Sequence, residues 1–112
     1  MKKSESKTAE KKAPQNYEDF SKVVPLCGKE TKLATYAVWQ NSLKDSGMTL
    51  ERYTEILKAA DIDGNESLKQ DELGAALRNA VVQREMTQEQ AAAVWDAQGW
   101  KHDYLWWLSK NA

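Results

Sequence analysis

The stretch Asp61-Ile62-Asp63-Gly64-Asn65-Glu66-Ser67-Leu68-Lys69-Gln70-Asp71-Glu72 decides how the rest of the chain is read. Oxygen-bearing side chains fall at its first, third, fifth and seventh places, an apolar Leu68 at its eighth, and Glu72 closes its twelfth. Alternate residues of a tight loop point inward together. A hard divalent cation wants about six to eight oxygens at roughly 2.3–2.6 Å, and this spacing can supply them. The bland alternative is a surface turn rich in Asp, Asn and Gly that holds no metal. Such a turn does not require Leu68 and Glu72 at fixed places between two amphipathic segments.

Both flanks read as helices. Upstream, Thr49 is an N-cap with Glu51 in the first turn to meet the helix dipole. Met48 and Tyr53 stand at the positions of a hydrophobic staple, and Tyr53, Ile56, Leu57 and Ala60 share one face. Downstream, a helix from near Gln70 buries Leu73, Ala76, Leu77, Ala80 and Val81. Helix, loop and helix together resemble the EF-hand calcium-binding family over about Thr49 to Val82. The resemblance implies a Ca²⁺ cofactor. Asp61, Asp63 and Asn65 would give side-chain oxygens, Ser67 its backbone carbonyl, and Glu72 both carboxylate oxygens.

Two residues depart from that family's pattern. Glu66 stands where the family has a Gly with φ > 0, at a cost on the order of 1 kcal/mol. Lys69 occupies the ninth place and has no acceptor with which to orient a water. Neither removes a ligand, and both point to sensor-like or weaker affinity, on the order of 10⁻⁶ to 10⁻³ M. Mg²⁺ should bind less well, because it disfavours the wide bidentate geometry of Glu72.

Outward from the hand, the N-terminal MKKSESKTAEKKAPQ is rich in Lys, Ser and Glu. It lacks the apolar surface to offset ordering, so residues 1–15 read as a solvated, disordered tail. A domain of residues 16–112 follows. Asn16 caps a short helix carrying Tyr17, Phe20, Val23 and Val24, which Pro25 stops. A longer helix is expected from Lys29 or Glu30 to Lys44, with Leu33, Tyr36, Ala37, Gln40 and Leu43 on its apolar side and Val38 and Trp39 beside it. Asp45-Ser46-Gly47 ends it.

Beyond the hand, Thr87 and Gln90 form a capping-box pattern. That helix is expected to run through Val94 and Trp95 to Gln98, with Gly99 as its C′ residue. A last short helix covers about Asp103 to Ser109. Met86-Thr87-Gln88-Glu89 echoes Met48-Thr49-Leu50-Glu51, so residues 87–110 are a candidate second hand that lost its ligands, as the family's pairing habit implies. The order of loop, Lys-Gln-Asp-Glu-Leu and Met-Thr-Gln-Glu-Gln-Ala-Ala-Ala-Val-Trp is also similar, over about Thr49 to Trp107, to helical segments of structural proteins from phages of gut Firmicutes. That likeness has no diagnostic residues.

The remaining composition narrows the chemistry. The chain has 112 residues, 29% charged and 41% hydrophobic, and a formal net charge of −1, so no bulk charge calls for nucleic acid. No apolar run approaches the roughly 20 residues of a membrane span, and the lack of a secretory apolar stretch points to the cytoplasm of the host, or to a virion if the phage likeness holds. His102 is the only histidine and Cys27 the only cysteine. A His-based zinc cluster is therefore unavailable, and no motif around Cys27 supports a Cys–His nucleophile. Phosphate loop and nucleophile elbow are missing, so an enzyme is not expected. Trp100, Trp106 and Trp107 lie close together near the end, either as core and rim or as an aromatic patch that docks a partner protein.

The expected protein is all-α, a single small domain around one EF-hand, and a calcium-binding or sensor module. The alternative is a helical structural or interaction protein in which Ca²⁺ only stabilises the fold. Coupling is expected between the ion and the C-terminal segment, which would cover the exiting helix, with Trp95 among its reporters.

Overall fold

A side-chain cap starts four of the described helices. The computed structural model describes residues 14–24, 28–61, 64 and 68–111, and within them every regular element is helical. The elements are α1 (Tyr17–Val23), α2 (Lys29–Val38), α3 (Leu50–Ala60), α4 (Gln70–Val82), α5 (Gln88–Asp96) and α6 (Tyr104–Lys110). Asn16 Oδ1 accepts from the Asp19 amide at 3.0 Å, and Thr49 Oγ1 accepts from the Arg52 amide at 3.0 Å. Thr87 and Gln90 exchange both bonds of a capping box, at 3.1 and 2.8 Å. Asp103 Oδ1 accepts from the Trp106 amide at 2.8 Å and so starts α6.

The expected long helix to Lys44 is not continuous. After Val38 the backbone widens into a π-turn, Trp39–Leu43, and then tightens into a 3₁₀ turn, Lys44–Ser46. Gly47 follows at φ 99°, in the left-handed region that a C′ glycine takes easily. Two contacts explain the wide turn. Trp39 Nε1 donates to the Met48 carbonyl at 2.9 Å, while Leu43 is turned fully inward. One extra residue in the turn lets both hold together.

The buried face of α2 also differs from the expected one. Leu33 is 44% exposed, and Thr35 is fully buried in its stead. Thr35 serves as a polar junction. Its carbonyl accepts from the Tyr53 hydroxyl at 3.1 Å, and its hydroxyl oxygen accepts from Gln98 Nε2 at 2.9 Å. Periodicity ranks residues by apolarity, so it cannot find a threonine whose two oxygens are both used. The α5 helix is shorter than expected, ending at Asp96, with residues 97–99 in a turn.

A single hydrophobic cluster joins the helices. Phe20 of α1 stacks on Tyr53 of α3 at 5.9 Å between ring centroids. From α4, Leu73 and Leu77 are fully buried, and they meet a C-terminal layer in which Val94 and Trp95 are also fully buried. Burial of one such large side chain stabilises by roughly 1.5–3 kcal/mol, far more than any exposed ion pair contributes. Packing therefore sets the arrangement. The α3–α4 pair lies against α5 and α6, and α5 reaches back to α2 and to the π-turn after it, where Gln90 Nε2 donates to the Ser42 carbonyl at 2.8 Å.

The α5–α6 unit is a helix–loop–helix, like α3–α4, but with a shorter connection. Residues 61–69 separate α3 from α4, whereas residues 97–103 separate α5 from α6. When Thr87 is set against Thr49, Leu108 falls on Gln70, yet α6 already begins at Tyr104. No helix is long and apolar enough to cross a membrane among the described residues. The expectation of a disordered tail concerns residues that, up to 13, lie outside the described ones; so does Cys27.

Candidate metal centre

The nine residues between α3 and α4 begin with the carboxylate of Asp61, and Glu72 follows them in the first turn of α4. Asp61 is the last residue to accept the helical bond pattern of α3: its amide donates to the Lys58 carbonyl at 3.1 Å, and its own carbonyl accepts from the Gly64 amide at 3.2 Å. Of the expected ligands, Asp63, Asn65 and Ser67 lie outside the described residues, as does Glu66. Leu68 is 4% exposed and joins the core, which anchors the far end of the loop.

Glu72 stands in the first turn of α4 and is only 8% exposed. A lysine N-cap has no oxygen to offer, so the cap bond runs one way: the Lys69 amide donates to Glu72 Oε1 at 3.1 Å. Among the described residues this is the hydrogen bond that Glu72 makes, and no cationic side chain pairs with it. A buried carboxylate with so little compensation is costly. A divalent cation at the carboxylate would supply what is missing. The donor chemistry therefore fits Ca²⁺: two described carboxylates bracket a short loop whose other three expected donors are all oxygens. Among the described residues alone, no three His, Cys, Asp or Glu side chains converge.

A groove of about 230 Å³ runs between α3 and α4, lined by Ile56, Ala59, Ala76 and Ala80 with Glu72 among them. At its other end Arg52 holds Glu85 with two bonds, Nε to Oε2 at 2.7 Å and Nη2 to Oε1 at 2.9 Å. The bond to Glu85 pushes the Arg52 guanidinium above its ordinary pKa. This pair ties the first turn of α3 to the connection that follows α4.

The tryptophans are divided between core and surface. Trp95 is fully buried, Trp107 is 4% exposed, and their ring centroids are 6.0 Å apart. Trp100 packs edge-on against Trp95 at 4.8 Å. Trp106 turns away and stacks on His102 at 3.9 Å. Of the expected aromatic docking patch, Trp107 is thus used internally, and Leu105, 53% exposed, is the large apolar side chain that α6 presents outward.

Sequence reasoning placed Trp107 in the C-terminal cluster expected to cover the exiting helix but did not single out its bond to the quoted stretch. Trp107 Nε1 donates to Asp71 Oδ1 at 2.9 Å, at the eleventh place of the quoted stretch. Its ring lies against Gly74, where an added Cβ would stand 2.6 Å from ring carbons. The sequence did carry a signal: Gly74 sits inside a helix, where glycine costs up to about 1 kcal/mol relative to alanine and so marks a close approach. Comparison with protein-family models, with curated proteins and with solved structures finds no match to this chain.

Proposed function

We propose that this chain binds one Ca²⁺ in the loop between α3 and α4, through Asp61, Asp63, Asn65, Ser67 and Glu72. The observation that carries the reading is Glu72, a carboxylate 8% exposed that, among the described residues, accepts from the Lys69 amide and pairs with no cation, at the end of an oxygen-rich loop. In this reading the ion supplies positive charge at that point. Asp61 fixes the start of the loop at the end of α3, and Glu72 fixes its close at the start of α4.

Between sensor and stabiliser, the packing favours the stabiliser. A sensor hand releases an apolar face when it opens. Here Leu73 and Leu77 are already fully buried within a core shared with α5 and α6. Ca²⁺ would then add to the stability of an assembled domain by mass action, without uncovering it.

Calorimetric titration with Ca²⁺, with Mg²⁺ as control, tests the reading. Saturable heat with Ca²⁺ and weaker heat with Mg²⁺ are expected. Glu72→Gln should abolish most of the Ca²⁺ heat yet leave the fold intact, because the Gln carbonyl can still accept from the Lys69 amide. Absence of heat at millimolar Ca²⁺ in the unmodified chain would overturn the proposal.

A further inference from the structure

The first turn of α4 carries carboxylates at two adjacent positions. Adjacent helical residues diverge by about 100°, so Asp71 and Glu72 face different neighbours. Glu72 lines the groove beside α3 with Glu55 and Ile56. Asp71 faces α6, where its Oδ1 accepts from Trp107 Nε1 at 2.9 Å. The same indole lies on Gly74 and under the guanidinium of Arg78, 5.4 Å from the ring centroid. Asp71, Gly74 and Arg78 are spaced by three and four residues, one stripe of α4, and Trp107 lies along it.

We infer that Trp107 is a positioning residue for the metal loop: by docking on the stripe Asp71–Gly74–Arg78 it holds the first turn of α4 where Glu72 can reach the ion. The inference rests on the Ca²⁺ reading above and adds to it a residue outside the quoted stretch, on another helix. Lys69 has no side-chain acceptor, and one oxygen of Glu72 already carries the bond from the Lys69 amide. A carboxylate drawn onto a cation with both oxygens gives less to that bond. The turn it leaves is then held from its other side by Trp107. Without that hold, the ion must also order the turn, and apparent affinity falls in proportion to the fraction of chains in which the turn is already in place.

A double-mutant cycle read by Ca²⁺ calorimetry on the full chain tests this, with Trp107→Phe, Asp71→Ala and both together. Phe keeps a ring against Gly74 and loses only the N–H donor and some area. Trp107→Phe is expected to weaken Ca²⁺ binding about three- to tenfold, and much less in the Asp71→Ala background, because the contact is already gone there. Equal weakening in both backgrounds would mean that Trp107 acts through general stability and would overturn the inference, as would no weakening in either. Trp106→Phe, on the side that stacks on His102, should leave affinity unchanged, and a comparable loss there would also count against it. Should a variant fail to fold, the unmodified chain still decides. Its Trp107 indole N–H resonance must shift on Ca²⁺ addition with the midpoint of the heat, and a fixed resonance overturns the inference. Failure of the Ca²⁺ reading looks different: the unmodified chain then gives no heat.

Discussion

At the scale of single residues, most of what the sequence made legible is capping chemistry. Asn16, Thr49 and Thr87 each accept the amide bond expected of them. These bonds are local, so they survive whatever the rest of the chain does. Thr35 and Trp107 were not legible, because their partners are far away in sequence: Tyr53 and Gln98 for one, Asp71 and Gly74 for the other. The proposed metal loop is mixed. Its ligand spacing is plain in the residues, whereas the role of the Lys69 amide in holding Glu72 needed the fold. Glu66 lends itself to a test at this scale. Glu66→Gly removes the cost of a side chain where the family's loop takes φ > 0, and should tighten Ca²⁺ binding by up to about tenfold, near 1.4 kcal/mol. Calorimetry checks it, and unchanged or weaker affinity would mean that the loop turns another way or that the charge of Glu66 helps attract the ion.

At the scale of elements, boundaries set by a cap were legible and boundaries set by packing were not. The starts of α4 and α6 follow from the pattern, but α2 gives way to a π-turn because Trp39 and Leu43 have separate destinations. Helix faces were read correctly where apolar residues outnumber the alternatives, as with Tyr53, Ile56, Leu57 and Ala60 on α3, all buried. The connection between α3 and the end of α4 is a different kind of contact. Arg52 is 44% exposed in its side chain and Glu85 26%, so their bidentate pair works in a screened environment. Arg52→Met should cost at most about 1 kcal/mol of stability, and the difference should shrink at high salt. Thermal melts at low and high ionic strength measure it. A larger, salt-independent loss would show that the pair fixes the spacing of the two helices.

At the scale of the whole molecule, the aromatic core carries a pH dependence. Tyr53 is fully buried, and burial pushes its phenol above the ordinary value of 10.0. Burial also raises Tyr104, with Arg78 opposing part of the shift. The phenol of Tyr53 stays neutral in the folded chain and ionises near 10 once the chain unfolds. The folded state therefore keeps its full stability below that pH and loses it above, by about 1.4 kcal/mol per pH unit from Tyr53. Urea melts should have flat midpoints up to about pH 9 and falling ones beyond it. Tyr53→Phe should flatten the alkaline fall, and an unaltered slope in that variant would show that other groups cause it.

The π-turn at Trp39–Leu43 has a consequence for chain length. A π-turn is what remains when a helix absorbs one surplus residue without rotating the segments on either side. Gln40 and Asn41 are exposed in that turn, so the surplus projects into solvent and disturbs nothing within. Removing the surplus residue would return the turn to α-helical pitch and part either Trp39 or Leu43 from its neighbours. The turn is thus a phase adjuster, setting the helix before it and the cap after it each on its own partner, and a change of length here would be felt as a rotation of one against the other.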